Sequence, residues 1–294
     1  MRGKVSGLAG LVLLGTAWAA ACMAASAQTR PVTLRFKAMV GSEPFTCGRS
    51  YDGIGTAKAR ITPQDFRFYV SEVQLVDRAG KTVPVELAQD RKWQHSDVAL
   101  LDFEDKSGPC LNGTAETNLM VRGSVPAGDY AGLRFTLGVP FGLNHEDALL
   151  AYSPLNLSGL FWSWLGGYKF LRLDMAVSKG PGFVVHLGST ACQPAGGMAM
   201  GGHAGHSRAV GAATQRPAKC DNPNRPTVTF ASFDPDKDVI VADIAALLAK
   251  TDVTVNQPDT ALGCLSAPDD KDCTGVMAAF GLPSGLQSFF RLDR

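Results

Sequence analysis

Five histidines stand in the 294 residues, and they are where chemistry is most accessible. A neutral imidazole offers one lone pair and suits borderline metals such as copper. His186 lies in FVVHLGST. If Phe183 and Val185 face a core, the period-two rule puts Val184 and His186 together on the opposite face of a strand. Two readings stand for it, a metal ligand or a histidine packed in a sheet against a carbonyl. His145 lies in LNHED, directly after the turn Gly-Val-Pro-Phe-Gly, where a loop can aim its ring. Its plain alternative is a solvated loop histidine or a residue opening a helix. His203 and His206 form an HxxH with Met198 and Met200 close by. Thioether and imidazole together suit copper in its reduced form, but ligands on a flexible segment bear an ordering cost. That segment is a weak secondary metal loop or a plain insert. His95, in KWQHSD among charged neighbours, is the weakest candidate.

The tryptophans concentrate beside one of these histidines. Gly138 to Asp174 holds His145, Trp162 and Trp164 in a chain that is 8% aromatic. Spaced two apart, Trp162 and Trp164 face one side of a strand, and taken alone they are core anchors. Other chemistry is excluded by pattern. The chain has no GxSxG, HExxH, phosphate loop or GxGxxG opening a helix. Asp234-Pro235-Asp236-Lys237-Asp238 lacks the glycine and distal glutamate of a calcium loop and is a turn.

The elements that must position these residues are strands. Val32 to Ala38 alternates strictly, and Phe66 to Val76 alternates and then shifts. After a turn at Asp77-Arg78-Ala79-Gly80 a returning strand covers Thr82 to Leu87. Further strands fall at Val98–Phe103, Ala131–Leu137, Tyr168–Val177, Phe183–Leu187 and Thr227–Phe233, with a short one at Val239–Val241. Helical pattern is confined to a turn at Asp147–Tyr152 and to Asp243–Lys250, where Asp243 is the N-cap. Many short strands between Gly/Pro turns give an all-β, β-sandwich-like single domain with long loops and few short helices.

Residues 1–27 have the layout of a secretory signal: basic Arg2 and Lys4, an apolar centre from Leu8 to Ala21, and the small-residue site Ala25-Ser26-Ala27. The apolar run is too short for a stable membrane span. Ala19-Ala20-Ala21 before Cys22 lacks the leucine of a lipoprotein site. Cleavage near Ala27 leaves one domain, 28–294, in the periplasm or secreted. Losing Arg2 and Lys4 takes the formal charge from +1 to −1, and no basic block points to nucleic acid or a membrane surface. Six cysteines then remain in an oxidising compartment, which argues for three disulfides that staple the domain. Spacing pairs Cys264 with Cys273 across SAPDDKD, Cys192 with Cys220 at the base of the low-complexity insert 194–218, and leaves Cys47 with Cys110. A thiolate cluster would need close CxxC pairs, which are absent.

VGSEPFTCG, FRFYVSEVQL, VALLDFED, LGVPFGLNHED, SPLNLSGLFWSWLGGYKFLRLD, HLGSTAC and GCLSAPDDKDC resemble the MbnP family, the four-cysteine proteins of the metallo-mystery pair, over about Leu34 to Leu282. The resemblance implies an exported copper-binding protein for acquisition, storage or delivery, with no catalysis of its own. It further implies a partner, a di-haem cytochrome peroxidase of the MauG type, that oxidises a tryptophan to kynurenine and so supports copper binding. His145 and His186 fall at family motif positions. Trp93, Trp162 and Trp164 are the tryptophans open to modification. Kynurenine exposes an aromatic amine and a ketone, so with two imidazoles it gives a low-coordinate mononuclear site that copper tolerates. The Met/His-rich segment after Cys192 departs from the family pattern. The alternatives are a small copper oxidoreductase, which needs an open coordination position near a substrate pocket, and a structural or adhesive β-sandwich with incidental histidines.

Overall fold

The computed structural model describes Gly3 and residues 28–163, 165–194, 216–283 and 286–293. The expected leader apart from Gly3, Trp164, Met198, Met200, His203 and His206 lie outside the described residues.

Alternation in the first strand, Thr29–Val40, buries Val32, Leu34, Phe36 and Ala38. This strand runs parallel to Val239–Asp243 and antiparallel to Met120–Pro126. They form a sheet in the order Phe290–Leu292, Val239–Asp243, Thr29–Val40, Met120–Pro126, Glu86–Leu87. A second sheet is built on the long strand Ala59–Asp77. Its order is Phe183–Leu187, Leu171–Val177, Ala59–Asp77, Tyr130–Leu137, Thr227–Phe230, and Val98–Asp102 also pairs with the long strand. The two sheets meet through aromatic rings. Phe36 of the first lies 6.1 Å from Phe68 and 5.9 Å from Phe135 of the second, and Phe290 reaches the same pair at 5.6 and 5.2 Å. Edge-on contacts of this kind add to the burial of the rings themselves. With 44% strand and 9% helix among the described residues, the molecule is an all-β single domain of sandwich type.

Several elements differ from the sequence expectation for local reasons. The shift in the long strand is an irregularity at Glu72, whose φ of 53° interrupts the register with Tyr130–Leu137. The run Thr82–Leu87 divides into Thr82–Pro84 and Glu86–Leu87, one in each sheet, so the chain changes layer at Val85. Tyr168–Val177 likewise divides, with Gly167–Tyr168 paired to Phe161–Ser163 in a separate ribbon. Asp147–Tyr152 is not helical. The turn of helix precedes it, at Phe141–Asn144, where Pro140 stands as N-cap with a fixed φ of −56°. Helix Asp272–Phe280 was hidden by its polar start DDKDC. Asp243 caps Ile244–Leu248 as expected, accepting from the backbone N–H groups of Ala245 and Ala246 at 3.0 and 3.3 Å. Asp243→Ala lowers stability by about 1–2 kcal/mol in urea unfolding, since the cap's partners lose their acceptor.

Disulfides join Cys47 to Cys110, Cys192 to Cys220 and Cys264 to Cys273. Cys192 and Cys220 are directly opposed in a ribbon of Thr190–Pro194 and Pro217–Asn222. The insert expected over 194–218 therefore begins and ends in strand, at Pro194 and at Pro217 and Ala218. Cys264 lies alongside the strand Phe183–Leu187: its N–H donates to the Val184 carbonyl at 2.8 Å and its carbonyl accepts from His186 N–H at 2.9 Å. The disulfide to Cys273 anchors this added edge to helix Asp272–Phe280. The same strand carries His186, so the staple holds the histidine's backbone on both sides.

Candidate metal centre

Register places a row of ionisable side chains across four strands. His186 is opposite Arg172, Arg172 opposite Arg67, and Arg67 opposite Asp102. One step along, Val184, Asp174 and Asp65 form the next row. In Leu171–Val177 the other face buries Leu171, Leu173, Met175 and Val177. The period-two rule therefore leaves Arg172 and Asp174 on this polar face. The row is far from solvent: Asp65 is 0% and Arg67 2% exposed. Burial on that scale requires pairing. The Arg67 guanidinium donates to both Asp65 oxygens at 2.8 and 2.5 Å. Arg172 lies 3.2 Å from Asp65 and donates to Asp174 Oδ2 through Nε and Nη2 at 2.9 and 2.5 Å.

Asp174 completes the row by holding His186. The imidazole Nε2 lies 2.7 Å from Asp174 Oδ1, and a carboxylate can only accept, so Nε2 carries the proton. Nδ1 is then the nitrogen with the lone pair. Nδ1 is buried and has no hydrogen-bond partner among the described residues. A proton there would be a buried donor without an acceptor, which is costly. This orphaned nitrogen fits a metal, and carboxylate–histidine pairs of this form orient metal-binding imidazoles. The partner is thus a carboxylate instead of the carbonyl considered from sequence. Trp162 stands beside it, with its ring 6.3 Å from the His186 ring.

His145 is not the solvated loop residue its sequence context allowed. It is 2% exposed and ends the helix Phe141–Asn144. Asn144 Oδ1 accepts from Tyr168 N–H at 2.8 Å, which turns the Asn144 amide nitrogen toward His145 Nε2 at 3.1 Å. A donating amide makes that nitrogen the unprotonated one. His145 Nε2 also lies 3.6 Å from Cys220 Sγ. Cys192 lines a cleft of about 340 Å³ together with Trp162, Ser189 and Leu265. The disulfide therefore connects the surroundings of His145 to those of Trp162 and His186. Gly188 is required at this junction: a Cβ there would run into the Trp162 ring and come within 2.9 Å of the Tyr168 carbonyl oxygen.

The other candidates lie apart from this centre or outside the described residues. Trp93 is half-buried with the Lys92 ammonium 5.3 Å above its ring. The His95 ring lies tilted against Tyr152, 5.1 Å between centroids. Trp164, His203, His206, Met198 and Met200 are not described. Sequence reasoning missed Asp174, Arg172, Asp65, Arg67 and Asn144. The signal was present as charges two apart, Asp65-x-Arg67 and Arg172-x-Asp174, inside otherwise apolar strands.

The electrostatics of the row have a pH signature. Burial acts to raise the Asp174 carboxyl, but hydrogen bonds from His186 and Arg172 outweigh it and hold the group at about 2. Its stabilising contribution is present above the ordinary value of 3.8 and is lost as pH falls toward 2. At the row's other end burial pushes Asp102 up to about 7, with Arg67 opposing. The folded state then binds the proton more tightly than the unfolded chain, so stability falls as pH rises from about 4 to about 7. Asp102→Asn removes that decline, and melting temperatures measured across this range check it.

Fold and site together define a disulfide-stapled β-sandwich that holds His186 beside Trp162 and sets His145 against the Cys192–Cys220 disulfide. The chain belongs to the MbnP family, whose family model matches residues 29–266. It is similar to the solved structure of MbnP from Methylosinus trichosporium, at 30% identity over 90% of this chain and 98% of that one, with a TM-score of 0.76. No curated protein matches it. Among the described residues no helix is long and apolar enough to cross a membrane.

Proposed function

We propose that this is an exported copper-binding protein for copper acquisition, storage or delivery, holding one copper through His186 and His145, with Trp162 converted to kynurenine. The observation that carries this reading is the buried, partnerless Nδ1 of His186, presented by Asp174 beside Trp162. Membership of a family associated with metal binding supports it. Copper bound there would be held by His186 Nδ1, by His145 Nε2 in place of its hydrogen bond from the Asn144 amide, and by the amine or ketone of the modified residue. What favours Trp162 over Trp93 is its contact with His186 and with Gly188. Trp93 instead carries a lysine over its face.

The oxidation belongs to a partner, a di-haem peroxidase of the MauG type. Two equivalents of peroxide supply the two oxygen atoms that open the indole, and hydrolysis then releases its ring carbon as formate. This chain's part is to hold the indole half-buried at an open cleft and to keep the imidazoles ready. The protein binds and does not turn over substrate.

Co-production with such a peroxidase tests the proposal. One copper per chain and a kynurenine located at residue 162 by tandem mass spectrometry are expected. Stoichiometric copper retained by the His145→Ala, His186→Ala double variant would sink the site. A chain left unmodified by active partner and peroxide would remove the kynurenine half.

A further inference from the structure

The Cys192–Cys220 disulfide differs from the other two in where it sits. Cys264 and Cys273 are both buried, and Cys110 is fully buried opposite a half-buried Cys47. Cys192 and Cys220 are both half-buried, on a two-stranded ribbon. Thiol–disulfide exchange needs access to a sulfur, and this bond offers a half-buried cysteine at both ends where Cys47–Cys110 offers one and Cys264–Cys273 none. Its two sulfurs and one nitrogen of His145 all lie within 4.8 Å of one another. The nitrogen 3.6 Å from Cys220 Sγ is Nε2, the one whose lone pair the Asn144 amide leaves unprotonated.

The geometry points to a redox-gated metal site that excludes the copper site, since both draw on the one lone pair of His145 Nε2: on reduction, Cys192 and Cys220 become two thiolate ligands that join His145 Nε2, released from the Asn144 amide, in a Cys2His site for a soft or borderline cation such as Cu(I) or Zn(II). The exchange balances with a dithiol as reductant. Its two S–H groups become one S–S bond, the Cys192–Cys220 bond breaks, and two electrons and two protons pass to the cysteines. Metal binding then releases those two protons. The ribbon stays in register through Thr190–Asn222 and Gln193–Lys219, so the thiols are not free to separate. Two thiolates and one imidazole leave a fourth, tetrahedral position for water. The site uses His145 but does not rest on the proposed role of His186 and Trp162.

Cobalt(II) is the probe, because a thiolate–cobalt bond gives a near-ultraviolet charge-transfer band that imidazole ligands do not. The mature chain is treated with limiting dithiothreitol, desalted without oxygen and titrated. Thiol labelling is expected at Cys192 and Cys220 before any other cysteine, with one cobalt per chain and the thiolate band. The oxidised chain and the Cys192→Ser, Cys220→Ser double variant show no band. His145→Ala, with near-ultraviolet dichroism showing that it is folded, binds cobalt at least tenfold more weakly. His186→Ala leaves the reduced-state site unchanged, which separates this inference from the copper reading. Labelling first at another disulfide, or unchanged cobalt affinity in folded His145→Ala, would overturn it.

Discussion

His186→Ala abolishes stoichiometric copper binding while the fold persists, and Asp174→Asn weakens binding by about 10–100-fold. The two substitutions act on opposite ends of one ring. Alanine deletes the nitrogen that has no partner of its own. Asparagine keeps the shape of Asp174 but removes the charge that holds Nε2–H at 2.7 Å, so the ring can present the wrong tautomer. The fold survives loss of the imidazole because Asp174 still accepts two hydrogen bonds from Arg172. Competition with a copper chelator measures both affinities, and thermal melts separate affinity from folding. Equal affinity in wild type and Asp174→Asn would remove the carboxylate from the account.

The second large effect is on stability. Asp65→Ala destabilises the protein by about 3–5 kcal/mol, because it leaves a guanidinium buried without its anion. Arg67, 2% exposed, loses both of its carboxylate bonds, and Arg172 loses the oxygen at 3.2 Å. The surface pair Arg60–Asp52 is the control. Its bonds are equally short, at 2.7 and 2.9 Å, but its side chains are 58% and 69% exposed. Water replaces what such a pair loses, so Asp52→Ala leaves the urea midpoint unchanged. Similar midpoints for the two variants would show that the buried row does not hold the sheet together.

Strand alternation was legible where one face meets the core and the other meets solvent or a covering loop. Val32 to Ala38 and Phe183 to Leu187 follow it residue by residue, and His186 stands on the face that the period assigns. Legibility failed where both faces are buried. Phe66 to Val76 reads as an alternating strand that then shifts, yet every residue from Asp65 through Ser71 is buried, and two of them are charged. Pairing across strands, which no single segment encodes, lets those charges satisfy one another. His145 escaped for a related reason. Its own segment covers it in part, through Phe141 and Asn144, but Cys220 of the ribbon closed with Cys192 also packs on it, and that contact lies far along the chain. Two disulfides followed from spacing, because Cys264–Cys273 and Cys192–Cys220 each close a short segment, and Cys47–Cys110 followed as the remaining pair.

A crystal structure of the copper-loaded protein, with anomalous data collected at the copper edge, tests the central claim most directly. The account predicts one strong peak within bonding distance of His186 Nδ1 and His145 Nε2, next to a modified residue 162. A peak placed elsewhere, with His186 Nδ1 still partnerless beside an intact indole, would contradict it.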